Sequence, residues 1–353
     1  MSKVYYMKSG ERSSERELSD AAKALLALLV EEEGLALEKE IPLKVHFGEE
    51  GNVTYIKPGC YDGIIDFLEE RGISSQFMDT SVLYTGARTR RSSHIKLALV
   101  HGFTRLPVVI ADGDAGEDLA EIPINGRHFK SCMIGAEYRK YSQMIVLSHF
   151  KGHRLAGFGG ALKQLSMGCA AKGGKLAMHM GIKPYIIGLL CRKCGICAAA
   201  CPAGAIGKNG KVRIDGRKCI GCGACFAVCP NKAVSIYTLK SACFALLRRG
   251  DFYERLAEYA YAAQAGKRNI YINFAVSITE NCDCISKKMT PVMRDIGVFA
   301  GTDPVAVDMA CCDAAKEAGH AFKGTEQLLY AERIGLGSTS YELIDADDML
   351  SGK

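Results

Sequence analysis

Eight of the sixteen cysteines fall into two copies of one pattern, and no other feature of this 353-residue chain restricts its folding so tightly. The first copy is Cys191, Cys194, Cys197 and Cys201 followed by Pro202; the second is Cys219, Cys222, Cys225 and Cys229 followed by Pro230. Each runs C-x2-C-x2-C-x3-C-P. Two residues between neighbours bring three sulfurs onto one face of a tight loop, and the proline then turns the chain. Sulfur at this density means disulfides or metal. Disulfides staple small secreted domains that cannot build an adequate core, and a chain of this length with 48% hydrophobic residues needs none. A pair of structural zinc sites is the simpler metal reading, because C-x2-C pairs bind zinc. It does not account for two identical four-cysteine runs with matching prolines.

Over its whole length the segment resembles the bacterial ferredoxins that carry two 4Fe-4S clusters. The resemblance implies that Cys191, Cys194, Cys197 and Cys229 hold one cluster. Cys219, Cys222, Cys225 and Cys201 would hold the second, so each cluster takes its fourth ligand from the other run. The small residues Gly195, Gly221, Gly223 and Ala224 would let backbone N–H groups approach the sulfurs and tune the potential. Low-potential one-electron transfer is the natural use of such a pair. Each cluster brings about two negative charges, which would take the formal net charge from +6 to about +2. With so small a basic excess and no basic patch interleaved with aromatics, nucleic acid is not an expected partner.

Either side of this insert, strand-like runs alternate with helical text. Leu43–Phe47, Gln76–Met78, Leu106–Ala111, Ser142–Ser148 and Asn269–Val276 suit strands; Tyr61–Arg71, His94–His101, Pro304–Gly319 and Thr325–Ile334 suit helices. The expected fold is α/β, a mostly parallel sheet sandwiched by helices, built from residues 1–183 and 238–353. A small α+β ferredoxin-like domain occupies 184–237, and helical text resumes at Leu239–Leu256. The first 20 residues suit a frayed segment leading into a helix over 17–34. No apolar run reaches the roughly 18 residues of a membrane span, and the N-terminus lacks the apolar core of a secretory leader. A cytoplasmic location away from membranes is expected.

Three stretches outside the insert carry candidate chemistry. Lys151–Lys183 holds six Lys/Arg, eight glycines, His153 and His179, and no acid. A turn through Gly157, Gly159 and Gly160 that opens a helix would aim free N–H groups at an anion, with Lys151, Lys163, Lys172 and Lys175 to neutralise it. A solvated loop is the plainer reading. Asn281-Cys282-Asp283-Cys284 follows a strand, where α/β sheets bind ligands. Cys282 and Cys284 suit a metal site completed by Cys169 and His149 or His153, a redox dithiol, or a turn. In Gly301–Asp308, Thr302 or Asp303 can cap a helix that has Pro304 in its first turn. Cys60, Cys132 and Cys243 read as packing, as does at least one of Cys311 and Cys312.

The combination of SHFKGHRLAGFGGALKQLSMGCA (Ser148–Ala170), the cysteine insert, NCDC and DIGVFAGTDPVAVDMA (Asp295–Ala310) resembles the domain of unknown function 362 family, in particular its iron–sulfur members. The resemblance runs from about Lys44 to the end. It implies an α/β domain with an iron–sulfur insert in an anaerobe-type cytoplasm, and no substrate. The leading expectation is an oxidoreductase. A ferredoxin, flavodoxin or reductase would reduce the clusters, which would pass electrons to a small-molecule substrate or cofactor beside Lys151–Lys183 and NCDC. His149, His153 and His179 are the proton-transfer candidates. The alternatives are a non-catalytic electron carrier, a metal or cluster maturation protein that docks a partner, and clusters that are purely structural.

Overall fold

The computed structural model describes residues 1–84, 86–180, 184–201, 203–207, 212–219, 223–235 and 249–351. Pro202, Gly221, Cys222, Cys243 and the first part of the expected 239–256 helix lie outside these residues. An eight-stranded sheet organises the main body, in the order Tyr341–Asp345, Ser2–Lys8, Gly297–Gly301, Ile270–Ala275, Ile145–His149, Leu43–Lys44, Phe77–Asp79, Val108–Ile110. Gly297–Gly301 runs antiparallel to both its neighbours, and every other pairing is parallel. The sheet is therefore mostly parallel, as expected.

Both faces of this sheet are covered, which explains why its central strands are buried at every position and mostly apolar rather than alternating. Ile145 and Leu147 face one core together with Ile270, Ile272 and Phe274. That core is closed by the helices Glu15–Glu32 and Asp62–Glu69, through Leu25, Leu29, Ile64 and Leu68. Val146, Tyr271 and Ala275 face the opposite core. There the helices Ala161–Cys169, Arg249–Gln264 and Pro304–Glu317 supply Leu165, Leu256, Ala260 and Val305. Cys60, Cys132, Cys311 and Cys312 are all buried packing residues.

The N-terminal expectation needs correction. Residues Ser2–Lys8 are not frayed; they form an interior strand, paired antiparallel to Gly297–Gly301 and parallel to Tyr341–Asp345. Val4 and Tyr5 are fully buried on opposite faces, and the Tyr5 hydroxyl donates to Glu33 at 2.9 Å. Four β-prone residues (VYYM) inside a polar frame were enough once neighbours on both sides supplied hydrogen bonds. The following helix begins at Glu15 on a capping box between Ser14 and Glu17.

The cysteine-rich residues between 184 and 235 have a small apolar cluster of their own around Ile206, Cys225 and Val234. Its described parts come in matching halves. Two short antiparallel pairs, Tyr185–Ile186 with Val234–Ser235 and Ile206–Gly207 with Arg213–Ile214, accompany the short helices Ile196–Ala199 and Ala224–Val228. Each helix is entered through a left-handed glycine, Gly195 (φ 77°) or Gly223 (φ 72°). Only glycine adopts that conformation without cost.

Candidate functional site

Four of the parallel strands point their C-terminal ends toward one cleft. His46 lies just beyond Leu43–Lys44, Asp79 ends its strand, His153 follows Ile145–His149, and Cys282 follows Ile270–Ala275. Lys163, Gln164 and Met167 on the Ala161–Cys169 helix form a wall, with Lys175 and His179 on Lys172–Met180. Ligands bind at this edge of an α/β sheet because strand ends and helix starts converge there.

At its base is a buried charge cluster. Asp79 accepts from Lys44 Nζ at 3.0 Å and from Arg88 Nη2 at 2.7 Å. Burial works to raise the Asp79 carboxyl, but the charges of Lys44 and Arg88 hold it well below the usual carboxylate range. Arg88 also donates through Nε to His94 Nε2 at 3.1 Å, and its Nη1 lies 2.8 Å from His46 Nε2. Burial, reinforced by the Arg88 charge, keeps both imidazoles neutral, their pKa values well below the usual histidine range. His46, Asp79, Arg88 and His94 were not among the sequence candidates. The available signal was positional: an acid and a histidine at the ends of parallel strands.

Cys282 and Cys284 sit together on the other wall. The Cys282 carbonyl accepts the Ile285 N–H at 3.1 Å, so Cys282–Ile285 is a tight turn. Asp283 at its tip is fully buried and directed away from the pocket. One carboxylate oxygen lies 2.8 Å from His149 Nδ1 and 2.9 Å from Lys151 Nζ. His149 Nε2 donates to the Val276 carbonyl at 2.8 Å, and Lys151 to the His149 carbonyl at 2.9 Å. His149 and Lys151 thus anchor the turn instead of lining the pocket. Lys163 Nζ lies 3.3 Å from the Cys282 sulfur. A hydrogen bond from the Cys284 thiol, joined by the Lys163 ammonium, pulls the Cys282 thiol well below its usual range against the effect of burial. The same hydrogen bond pushes Cys284 up.

Two histidine candidates do reach the pocket. His153 accepts the Ala156 N–H on Nδ1 at 3.0 Å, which leaves Nε2 to carry the proton in the neutral ring. Burial, followed by the Lys163 charge, lowers His153 to about 3. His179 stacks on Phe252, and burial with Lys163 and Lys175 lowers it to about 4. Lys175 donates to the Thr80 hydroxyl and the Ser81 carbonyl, and burial lowers it to about 8. Lys172 is diverted to the Thr89 carbonyl at 2.9 Å.

The glycine turn has another use. The free N–H groups at the start of the Ala161–Cys169 helix are taken by Asp308, which accepts from Ala161 at 2.6 Å and Leu162 at 2.9 Å. That terminus already holds an anion, and it is the protein's own carboxylate. A methyl on Gly160 would lie 2.2 Å from Asp308 Oδ1; on Gly157 (φ 84°) it would lie 1.7 Å from the Lys323 carbonyl. Close packing demands these glycines, while Gly159 lies against the Lys163 side chain. Cys169 is buried at the far end of the helix beside Tyr138, outside the pocket lining. The structure does not bring it to Cys282 and Cys284. Asp303 is the helix cap, accepting from Val305 at 2.8 Å and Ala306 at 3.1 Å.

In the cysteine-rich segment, Cys191, Cys194, Cys197 and Cys229 line one cavity. Burial, followed by the nearby Cys229 sulfur, raises the Cys197 thiol, with Cys191 and Cys194 adding to the effect. Backbone N–H groups reach two sulfurs at matching places, Ala205 to Cys201 at 3.3 Å and Ala233 to Cys229 at 3.2 Å. No disulfide joins any of the described cysteines.

Residues 41–313 match the family model described as domain of unknown function (DUF362), and the chain belongs to that family. No curated protein matches it. Among solved structures the chain is similar to a protein of Thermotoga maritima, at 13% identity and a TM-score of 0.44, over 87% of this chain and 60% of that one. It is also similar to the lactate racemase apoprotein of Thermoanaerobacterium thermosaccharolyticum, at 12% identity and a TM-score of 0.42, over 90% of this chain and 58% of that one. The chain thus spans less than two thirds of either structure. No helix among the described residues is long and apolar enough to cross a membrane.

Proposed function

We propose that the chain is an iron–sulfur protein that takes electrons from a soluble donor protein and passes them, through two 4Fe-4S clusters, to a small anionic substrate or cofactor in the pocket. The observation that carries this reading is the grouping of Cys191, Cys194 and Cys197 with Cys229 of the other run around one cavity. Four thiols, a left-handed glycine at each loop and N–H groups aimed at sulfur are the donor set such a cluster needs. The clusters would supply one-electron transfer.

The second run adjoins the pocket. A methyl placed on Gly223 would lie 3.6 Å from the Lys172 side chain and 4.0 Å from Leu83, which lines the pocket wall. Cys225 lies two residues farther along, in the first turn of the helix that Gly223 opens. The pocket itself favours negative charge: Asp79 is shared between Lys44 and Arg88, and Lys175 meets only the neutral oxygens of Thr80 and Ser81 among the described residues. His153 and His179 are neutral near pH 7, which suits hydrogen bonding to a substrate more than carrying a proton as imidazolium.

Iron and acid-labile sulfide, measured on protein purified without oxygen, test the proposal together with electron paramagnetic resonance after reduction. About eight irons per chain and signals from two interacting reduced clusters are expected. A colourless protein that holds zinc would overturn it. Clusters that exchange electrons only with other proteins, in a chain whose pocket binds no small anion, would leave an electron carrier instead of an oxidoreductase.

A further inference from the structure

We propose that Cys282 and Cys284 form a dithiol–disulfide couple on the pocket wall, in which Cys282 attacks as the thiolate and Cys284 resolves. This deepens the proposed function and rests on it only for the source of returning electrons. Three observations carry it.

The first is the turn. Cys282 and Cys284 stand two residues apart in a β-turn closed by the Ile285 N–H, and both line the pocket. Asp283 between them is locked on the far side by His149 and Lys151. The buried clamp leaves both cysteines of the turn on the pocket side.

The second is the cation. Lys163 Nζ lies 3.3 Å from the Cys282 sulfur, where its charge would balance a thiolate. An ammonium in that place favours a nucleophilic sulfur and stands where a metal ion would compete with it.

The third is the lack of further ligands. Among the described residues, the one group that brings three His, Cys, Asp or Glu ligand atoms within 4.8 Å of one another is His128, Asp251 and Glu254, outside this pocket. His153, which lines the same pocket as the pair, has Nδ1 occupied by the Ala156 N–H. Its Nε2 therefore carries a proton and has no lone pair to offer a metal.

The exchange balances with a low-molecular-weight disulfide as oxidant. The Cys282 thiolate attacks one sulfur of that disulfide, the S–S bond breaks, and a thiolate leaves. Cys284 then loses its proton to the departed thiolate and attacks the Cys282 sulfur, which releases the second thiolate. The Cys282–Cys284 bond has formed, and the small disulfide has taken two electrons and one proton. Reopening the ring needs two electrons and one proton, and two clusters that each deliver one electron match that demand.

The test uses the whole protein, with its iron content measured first. It is equilibrated in buffers of reduced and oxidised dithiothreitol, quenched, and mapped by peptide mass spectrometry. A Cys282–Cys284 disulfide that appears in a single two-electron step is expected. Alkylation of the reduced protein by iodoacetamide at pH 6.5 should modify Cys282 at least ten times faster than the buried Cys60. Lys163→Met should abolish that advantage and Lys163→Arg should retain it. Cys284→Ser should keep fast alkylation at Cys282 but form no intramolecular bond. Two thiols that persist across the whole buffer range, or a metal retained at Cys282 and Cys284, would overturn the couple. Because iron is determined separately, a protein that lacks clusters yet forms the disulfide would defeat the proposed function and leave this inference standing.

Discussion

Asp308 caps a helix that begins almost 150 positions earlier in the chain: its Oδ1 accepts the Ala161 N–H at 2.6 Å. Leu162 and the Asn273 side chain add donors at 2.9 and 2.7 Å. Burial nonetheless wins and raises the Asp308 carboxyl to about 6. A carboxyl raised in the fold binds its proton more tightly there than in the unfolded chain. Stability contributed by Asp308 should therefore fall as pH rises from about 4 to about 6, and level off above that. Unfolding by urea across this range should show the slope in the wild type, and Asp308→Asn should flatten it. Asp308→Ala should lose about 2 kcal/mol at pH 5, because three buried donors lose their acceptor.

The glycines before that helix make a second prediction. Gly160→Ala would push a methyl to 2.2 Å from Asp308 Oδ1, so the carboxylate must leave the cap. Gly157→Ala adds a left-handed backbone to a 1.7 Å approach to the Lys323 carbonyl. Each variant should lose roughly 2–3 kcal/mol or fold poorly. Gly188→Ala, with nothing within 4 Å, is the control and should change stability little. If Gly160→Ala matched that control, the cap would be far looser than its distances imply.

Asp79→Asn removes the one carboxylate that Lys44 and Arg88 share. Both cations are almost fully buried, at 0% and 4% side-chain exposure; Arg88 keeps Glu49 at 3.9 Å, while Lys44 is left with no carboxylate partner among the described residues. A loss of about 3–5 kcal/mol is expected from denaturant unfolding. The pH dependence follows from a depressed carboxyl. Its contribution is complete above about pH 4 and disappears only in stronger acid, so the wild type and variant should converge there.

These residues also show where the sequence was informative and where it fell silent. Long apolar runs declared Ile145–His149 and Ile270–Ala275, because strands buried on both faces carry their identity in composition. Ser2–Lys8 escaped because VYYM is brief and its polar flanks resemble a tail; its strand identity depends on partners near residues 300 and 343. The lysine, histidine and cysteine candidates were legible as residue types, and Lys163, Lys175, His153 and His179 do share one pocket with the cysteine pair. Their division of labour was not legible. Asp308 filling the helix N-terminus, and Asp283 recruiting His149 and Lys151 as a clamp, are contacts across about 130–150 positions that no local pattern encodes. Arg88 and His46 stayed hidden because they gain meaning only when neighbouring strands set their ends side by side.

Lys175 provides the last test, because its ammonium is buried against oxygens that carry no full charge. Burial lowers it from 10.5 to about 8, with Asp112 and Asp79 pulling the other way. A lysine depressed in the fold opposes folding while it is charged. Its contribution should therefore improve as pH rises from about 8 toward 10.5. Other groups titrate in that range, so the informative quantity is the difference in stability between wild type and Lys175→Met, which should narrow by about 2 kcal/mol or more relative to its trend at pH 7. An anion in the pocket reverses the logic by rewarding the charged form. Sulfate keeps its charge from pH 7 to 10, so any change in its effect comes from the protein. It should raise the Tm of the wild type more at pH 7 than at pH 9.5, and should do little for Lys175→Met at either. Equal stabilisation of both proteins would place the anion elsewhere and remove the electrostatic argument for an anionic ligand beside Cys282.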